Sequence, residues 1–175
     1  MLRLRPYRDC DAEVITKWLK SEYSFRQWCA DRYKNYPITA EDMNDYYKDT
    51  ESNGYFMAMT AFDESGAVGY LTMRFTDTAM KVVRFGFVIV DDMQRGKGYG
   101  KEMLNLAIEY AFCILKADKI TLGVFENNKN AYYCYKAAGF SVIQLEHTEH
   151  YQVMNEDWKC IEMELHKDSY KKVEN

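Results

Sequence analysis

A glycine-rich run near the middle of the sequence combines backbone freedom with positive charge. Glycine adopts positive φ angles and lets a backbone approach an anion closely, while arginine and lysine add charge around it. An apolar segment at residues 82–90 precedes the run and an amphipathic pattern follows it, so we expect it to join a strand to the free N–H groups of a helix start. This pattern predicts a phosphate or diphosphate site. Its residues are Gln94, Arg95, Gly96, Lys97, Gly98, Tyr99 and Gly100, followed by Lys101.

Two common phosphate-binding motifs fail on their spacing. A P-loop requires G-x-x-x-x-G-K-[ST], and no such run occurs in the sequence. A dinucleotide fingerprint requires G-x-G-x-x-G at the start of a βαβ unit, whereas these glycines stand at positions 96, 98 and 100. The loop alone leaves two alternatives, a flexible turn without a ligand and a nucleotide-phosphate site.

A second motif about thirty residues downstream makes the prediction more specific. The sequence resembles the GNAT N-acetyltransferase family, whose pattern [RQ]-x-x-G-x-[GA] is matched by Arg95, Gly98 and Gly100. The family pattern N-x-x-A-x-x-x-Y-x-x-x-G-F is also matched, by Asn128, Ala131, Tyr135, Gly139 and Phe140. The resemblance extends over residues 2–165, and two motifs at the family's spacing are far more specific than one.

The resemblance implies acetyl-CoA as the acetyl donor. In this family the fourth and fifth strands, here residues 82–90 and 120–125, separate, and the pantetheine arm lies between them. The backbone of Val88, Ile89 and Val90 would pair with that arm like a missing strand. The resemblance also implies that amides of residues 95–101 hold the pyrophosphate and that Asn128 contacts the cofactor.

The family reaction is direct attack of a primary amine on the thioester, without a covalent enzyme intermediate. The resemblance places Tyr135 as the acid that protonates the leaving thiolate, and the main-chain N–H of Val90 at the oxyanion. Tyr132 and Tyr133 are weaker alternatives for the acid. Many members carry an acid in the fourth strand, where this chain has Arg84 and Phe85, so we name Glu126, acting through water, as the candidate base and Asp91 as a weaker one.

The acceptor is left open by the sequence. In this fold it is generally bound by the segments that correspond here to residues 23–36 and 147–158, whose aromatic side chains fit a pocket and core packing equally well. Arg84 would grip an acceptor carboxylate if it faced the cleft, or pair with a surface acid. A small amine, an amino acid derivative, an antibiotic and a protein amine all remain open, as does a non-catalytic acyl-CoA-binding module. The aromatic residues are Phe25, Trp28, Tyr33, Tyr36, Tyr151 and Trp158.

The elements that must position these residues follow from periodicity and turn chemistry. We predict strands at residues 2–5, 55–62, 67–75, 82–90, 120–125, 141–151 and 158–165, with 82–90 buried on both faces. Helices are predicted from Asp9 or Asp11 to Lys20, from 39 to 49, over 98–117 and over 128–138. Asn53-Gly54 is expected to end the second helix, and Ile114 is expected to be buried in the third. Residues 24–36 are predicted to be irregular and partly helical.

These elements predict one α/β (α+β) domain over residues 1–175. Its sheet is mixed and mostly antiparallel with about seven strands, helices cover both faces, and the order is β-α-α-β-β-β-α-β-α-β-β. Residues 167–175 are polar and are predicted to be a frayed tail.

Composition narrows the function classes. A net charge of −4 over 175 residues argues against a nucleic-acid surface, and the apolar runs are too short for a membrane span, so we expect a cytoplasmic protein. We predict no metal site. The five cysteines include no C-x-x-C pair, and no third ligand stands near His147 and His150 in the sequence. The expected partners are acetyl-CoA and an unidentified amine, and the sequence is also compatible with a homodimer.

Overall fold

The protein, described from a computed structural model over residues 1–51 and 55–170, contains an eight-stranded mixed sheet. The strand order is β1-β2-β3-β4-β5-β8-β6, and β7 also pairs with β8. Neighbouring strands are antiparallel except for β4 and β5, which are parallel. The strands are β1 (Arg3–Pro6), β2 (Phe56–Asp63), β3 (Gly66–Phe75), β4 (Val82–Val90), β5 (Lys119–Phe125), β6 (Ser141–Val142), β7 (His150–Val153) and β8 (Glu156–His166).

Helices cover both faces of this sheet. The α-helices are α1 (Ala12–Ile15), α2 (Glu22–Cys29), α3 (Ala40–Glu51), α4 (Tyr99–Glu109) and α5 (Lys129–Ala137). Short 3₁₀ turns, Asp9–Asp11 and Thr16–Trp18, flank α1 and divide the single helix that was predicted up to Lys20. The predicted class, a mostly antiparallel mixed sheet between helices, is confirmed.

Two hydrophobic cores lie on opposite faces of the sheet. One core packs Ile15 of α1 and Phe25 of α2 against Tyr70 of β3. The other packs Leu104 of α4 against Leu71, the next residue of the same strand. Successive side chains of a strand point to opposite faces, so one apolar strand serves both cores.

Local turn chemistry is as predicted at two places. Asp63 Oδ1 accepts hydrogen bonds from the N–H and hydroxyl of Ser65 at 2.8 and 2.6 Å, and Gly66 adopts a φ of 115°, which closes the β2–β3 hairpin. Thr39 and Asp42 form a reciprocal capping box at the start of α3. The predicted end of α3 at Asn53-Gly54 lies outside the described residues.

The helix predicted over residues 98–117 changes its pitch near the end. After α4, residues Tyr110–Ile114 form a π-helical turn, which needs more residues per turn than an α-helix. The wider turn rotates the buried face, so that Phe112 is 1% exposed while Ile114, predicted to be buried, is 64% exposed. The α-helical spacing used for Ile114 was therefore wrong.

The prediction of one continuous strand over residues 141–151 was also wrong. The chain forms the two-residue β6 and the four-residue β7, and both pair with the long strand β8. Ile143 and Glu149 still bond to the β8 backbone, but residues 144–148 between them leave the sheet; four of the five are polar, and Leu145 stays 47% exposed.

The chain remains ordered beyond β8. Lys167–Ser169 form a 3₁₀ turn, and the Tyr170 ring lies 5.3 Å from that of Phe112. Residues 171–175 of the predicted tail lie outside the described part. No helix within residues 1–51 and 55–170 is long and apolar enough to span a membrane.

A half-buried ion pair ties the first helical segment to the sheet. Arg5 on β1 donates two hydrogen bonds, of 2.7 and 2.8 Å, to Asp11, which also accepts from the Thr60 hydroxyl and the Arg8 N–H. Burial by itself would raise the pKa of Asp11, but these hydrogen bonds outweigh it and lower the pKa. The folded state therefore favours the ionised carboxylate.

We expect Asp11→Asn to lower the free energy of unfolding by about 3 kcal/mol at pH 7, because it leaves a partly buried guanidinium without its counter-charge. The pKa of Asp11 is lower in the folded state, so its stabilisation is complete above about pH 4 and is lost as the pH falls through the folded-state pKa. Urea unfolding from pH 7 to pH 3 tests both points. Glu13→Gln, an exposed change in α1, is the control and should stay within about 0.5 kcal/mol; equal losses in the two variants would contradict the prediction.

Candidate active site

The parallel strands β4 and β5 pair over only three residues and then separate. Val82, Val83 and Arg84 lie opposite Lys119, Ile120 and Thr121, and no later pair is formed. Beyond this point β4 stays bonded to β3, and β5 stays bonded to β8 along its whole length. The divergence opens a cleft of about 620 Å³ between two strand edges.

A β-bulge bends β4 at the cleft. Tyr70 lies opposite Ile89 and Thr72 opposite Gly86, so β4 contains one more residue than β3 over this stretch. Within it Phe87 adopts a φ of 48°, a backbone conformation that bulky residues rarely accept. The indole N–H of Trp28 donates to the Phe87 carbonyl at 2.8 Å, so α2 holds the bulge in place.

The cleft explains why β4 is not buried on both faces, as its apolar sequence had predicted. Val83, Phe85 and Ile89 are buried, whereas residues 86–88 and Val90 are half-buried because they line the cleft. Asp91 donates its N–H to the carbonyl of Val68 on β3. Adjacent residues of a strand point their N–H groups in opposite directions, so the N–H and C=O of Val90 face the cleft.

The glycine run forms the turn between β4 and α4 at one end of the cleft. Gly96 and Gly98 have φ angles of 77° and 88°, and an added Cβ at either position would meet no protein atom within 4 Å. The space beside the loop is therefore open, and the first N–H groups of α4 lack intrahelical acceptors. Arg95 and Lys101 contribute positive charge to the same wall of the cleft. These features fit a diphosphate.

Two residues of the glycine run, Lys97 and Tyr99, do not line the cleft. Lys97 donates to Gln94 Oε1 at 3.0 Å and does not line the cleft. The Tyr99 hydroxyl donates to Asp63 Oδ2 at 2.6 Å, which ties the loop to the β2–β3 hairpin. Hydrogen bonds from Ser65 and then from Tyr99 lower the pKa of Asp63 to about 2. These side chains hold the loop's shape while its backbone faces the cleft.

Helix α5 supplies the opposite wall. Asn128 caps this helix because its side-chain oxygen accepts the Ala131 N–H at 3.3 Å. Its side-chain N–H₂ can then donate a hydrogen bond to a ligand. Tyr135 lines the cleft although only 6% of its surface is exposed, and burial, with a smaller contribution from Cys134, raises its pKa. Burial also raises the pKa of the Cys134 thiol, which disfavours a nucleophilic thiolate.

A second cavity of about 430 Å³ adjoins the first. It lies over an ion pair in which Arg84 on β4 donates to both carboxylate oxygens of Glu162 on β8 at 2.6 and 2.7 Å. The pair crosses β5 above Gly123, where an added Cβ would lie 2.8 Å from Arg84 Nη2. Arg84 is thus paired with an acid. The two cavities share the residues Gln27, Trp28, Phe85, Gly86, Phe87 and Gly123.

The structure does not bring the candidate bases into either cavity. Glu126 is exposed, its N–H bonds to the Lys159 carbonyl, and its side chain lines neither space. Asp91 accepts the Met93 N–H at 3.0 Å as a cap. Among the described residues that line the two cavities there is no Asp, Glu or His.

Only some of the aromatic residues expected to line an acceptor pocket do so, and the others pack elsewhere in the protein. Trp28 and Tyr151 line the second cavity. Phe25, Tyr33 and Trp158 are buried core residues, and Tyr36 donates its hydroxyl to the Leu19 carbonyl.

Three further residues of the second cavity, Arg32, Tyr46 and Arg74, were missed by sequence reasoning. The available signal was Arg74 itself, a charge between the buried residues Met73 and Phe75 of an apolar strand. No group of three His, Cys, Asp or Glu side chains able to hold a metal occurs in the described ranges.

Residues 1–141 match the model of the acetyltransferase (GNAT) domain family. The chain belongs to the GNAT family. This membership makes it an acetyl-CoA-dependent N-acetyltransferase, and the cleft between β4 and β5 is the counterpart of the separated strands that the sequence motifs implied.

This GNAT chain is also similar to characterised bacterial relatives. It is 24% identical to spermidine N(1)-acetyltransferase of Escherichia coli (strain K12) over 141 residues, 81% of this chain and 73% of the relative. It is 23% identical to the acetyltransferase PseH of Campylobacter jejuni over 145 residues, 81% and 86% of the two chains. The spermidine N-acetyltransferase from Vibrio cholerae, solved with CoA and spermine, superposes with a TM-score of 0.81 at 19% identity and covers 97% of each chain.

We expect Gly98→Ala in this GNAT chain to raise the Kd of CoA about tenfold, because an alanine resists a φ of 88° and the loop must change shape. Isothermal titration of the purified protein with CoA measures the change. Gly139→Ala is the control, since Gly139 has a similarly positive φ of 103° but lines neither cavity. The control should lose stability and keep its affinity for CoA; an unchanged Kd in Gly98→Ala would contradict the role of the loop.

Proposed function

We propose that the chain transfers the acetyl group of acetyl-CoA directly to a primary amine while both substrates are bound. The observation that carries this proposal is that the two cavities adjoin and share residues 85–87 and Gly123 in their linings. A thioester held in the first cavity and an amine held in the second would meet at this shared wall. The geometry suits direct attack, since the raised pKa of Cys134 offers no acyl-accepting thiolate.

The donor site of this proposal uses backbone more than side chains. Amides of Gly96, Gly98 and Gly100 at the start of α4 would hold the pyrophosphate, with Arg95 and Lys101 as counter-charges. The inward N–H and C=O of Val90 would pair with the amide groups of the pantetheine arm, together with those of Val88. Ile89, expected from the sequence to take part, lies opposite Tyr70 and directs its N–H and C=O toward β3. The side-chain N–H₂ of Asn128 would add a contact from α5.

The proton balance assigns a role to Tyr135. The new bond joins the amine nitrogen to the acetyl carbon, and the carbon–sulfur bond breaks to leave a thiolate. Tyr135 would protonate this thiolate, since its raised pKa keeps the hydroxyl protonated until the thiolate forms. The nitrogen releases one proton to water before it attacks and a second as the amide forms, because no Asp, Glu or His lines the described cavities. Water returns one of these protons to the Tyr135 phenolate, and Glu126 could take part only through a chain of waters.

The reaction class agrees with that of the spermidine N-acetyltransferases among the relatives. The competing hypothesis is an acyl-CoA-binding module that performs no transfer. A buried tyrosine hydroxyl lining the cleft favours the enzyme, because a binding module needs no leaving-group acid. The single-domain organisation, the cytoplasmic location and a homodimer stay predictions, the last of which light scattering would measure.

We expect Tyr135→Phe to lower kcat about 100-fold with little change in the KM of acetyl-CoA, because the substitution removes the proton donor and keeps the ring. Thiol release from acetyl-CoA with an amine acceptor gives both constants. Tyr133→Phe on the same helix is the matched control, since Tyr133 is 66% exposed and lines neither cavity. Equal activity in the two variants would remove Tyr135 from the mechanism, and CoA binding without transfer to any amine would favour the module.

We expect kcat/KM for the acceptor to rise about tenfold per pH unit between about pH 6 and 9, because only the unprotonated amine attacks and an alkylammonium has a pKa of about 10.4. The raised pKa of Tyr135 predicts no falling limb over this range, since the acid stays protonated. A pH–rate profile at saturating acetyl-CoA tests both statements. A plateau beginning near pH 7 would reveal an enzyme base and contradict the transfer of the proton to water.

A further inference from the structure

The second cavity has an unusual charge for a protein of net charge −4. Three arginines line it, and its described lining contains no carboxylate. They come from different parts of the chain: Arg32 follows α2, Arg74 lies on β3 and Arg84 lies on β4. Packing of separate elements has therefore gathered positive charge at one place.

Two of these arginines are direct neighbours on adjacent strands of the sheet. Arg74 and Arg84 are directly opposite residues of the antiparallel β3–β4 pair, an arrangement that is destabilising for like charges. The partial burial of Arg74 and the charges of Arg84 and Arg32 lower its pKa. The folded state therefore contains an unfavourable repulsion between like charges at this cavity.

Intramolecular carboxylates offset only part of this charge. Arg84 is neutralised by Glu162. Arg74 forms no ion pair or hydrogen bond with any side chain of the described ranges. The nearest carboxylate to Arg32 is that of its neighbour Asp31, at 3.7 Å, and the Asp31 side chain is 78% exposed. Arg74 is consequently left unpaired, and Arg32, held only by an exposed carboxylate outside the cavity lining, can also interact with a ligand.

These guanidinium groups lie within reach of the site where acetyl transfer would occur. The cavity they line shares Trp28, Phe87 and Gly123 with the donor cleft. The hydroxyl of Tyr46, in the same lining, lies close enough to feel the charges of both Arg32 and Arg74. A molecule that places its amine at the shared wall would extend its other end toward this pair of arginines.

We propose that the acceptor is a primary amine that also carries an anionic group, a carboxylate or a phosphate, bound by Arg74 and Arg32. This inference rests on the proposed acetyl transfer and names the acceptor class for the same site. A guanidinium donates two parallel hydrogen bonds to a carboxylate or a phosphate, so an anion would satisfy the donors that the protein leaves unpaired. The aromatic walls formed by Trp28, Phe87 and Tyr151 would pack against the carbon body of the acceptor.

The same charges disfavour a polyamine acceptor. Spermidine is a polycation at neutral pH, and binding in this cavity would bring it beside the unpaired guanidinium of Arg74 and that of Arg32, with no carboxylate in the described lining. The likeness of this chain to spermidine acetyltransferases therefore extends to the fold and the donor chemistry, and the acceptor differs.

Matched amine pairs test the proposal. L-Phenylalanine and 2-phenylethylamine differ by one carboxylate, and O-phosphoethanolamine and ethanolamine differ by one phosphate; spermidine is the fifth acceptor. With acetyl-CoA and the wild-type chain, kcat/KM should be at least tenfold higher for the anionic member of one pair, which also tells a carboxylate from a phosphate. Spermidine should give the lowest value. A preference for spermidine, or equal values within both pairs, would overturn the inference and leave acetyl transfer intact.

The variant Arg74→Gln measures the contribution of the Arg74 guanidinium to binding of the anionic group. It should lower kcat/KM for the preferred anionic amine about tenfold, leave its neutral partner within about twofold, and keep the KM of acetyl-CoA. Lys17→Gln is the control because it removes one exposed positive charge away from both cavities. A loss of equal size for the anionic and the neutral amine would contradict a contact between Arg74 and the anion.

Binding to the CoA complex separates this inference from the proposed reaction. Calorimetric titration of the CoA-bound chain with L-phenylalanine, O-phosphoethanolamine and spermidine requires no turnover. Binding of an anionic amine that Arg74→Gln weakens about tenfold supports the acceptor class even if no acetyl transfer is detected, in which case the proposed function fails alone. Tighter binding of spermidine than of both anionic amines would overturn the acceptor class whatever the activity.

Discussion

The early end of pairing between β4 and β5 is the constraint on which the rest of the site depends. Parallel strands normally bond along their length, because an unpaired strand edge leaves N–H and C=O groups without partners. Here the pairing stops after Arg84, and each strand keeps only its outer neighbour. The inward backbone groups of Val90 are therefore available to an extended ligand in the cleft of about 620 Å³. The bulge at Phe87, held by Trp28, keeps the two strands apart.

The charges and backbone geometry of the lining differ between the two ends of this gap. At the end near α4, positive φ angles and a helix start suit a diphosphate, and Arg95 and Lys101 add charge. At the other end, Arg84 reaches over Gly123 to Glu162. Arg74 has no ion pair with a described side chain, and Arg32 has only that with the exposed Asp31, which lies outside the cavity lining. Similar relatives carry names that specify polyamines, and because function resides in the site rather than in the fold, the acceptor of this chain has to be argued from the charges of its own cavity.

Much of the fold followed from local rules. The hairpin at Asp63, the capping box at Thr39 and the bounds of β4 were predictable because each depends on a few adjacent residues. Two errors have a common origin in long-range packing. Ile114 became exposed because a π turn replaced the α-helical pitch, and residues 141–151 divided into two strands because β8 bonds only their ends. Neither outcome leaves a clear mark on the local hydrophobic pattern.

By itself, the sequence determined the donor. The loop around Gly98 and the helix start at Asn128 are contiguous motifs, and the chemistry of binding a diphosphate resides in the backbone freedom and charge of neighbouring residues. The acceptor class that we propose rests only on tertiary structure. Arg32, Arg74 and Arg84 are far apart along the chain, and nothing in their spacing shows that they meet in one cavity or that Glu162 neutralises just one of them. Charge acts through space, so the net charge of a pocket depends on how distant segments pack.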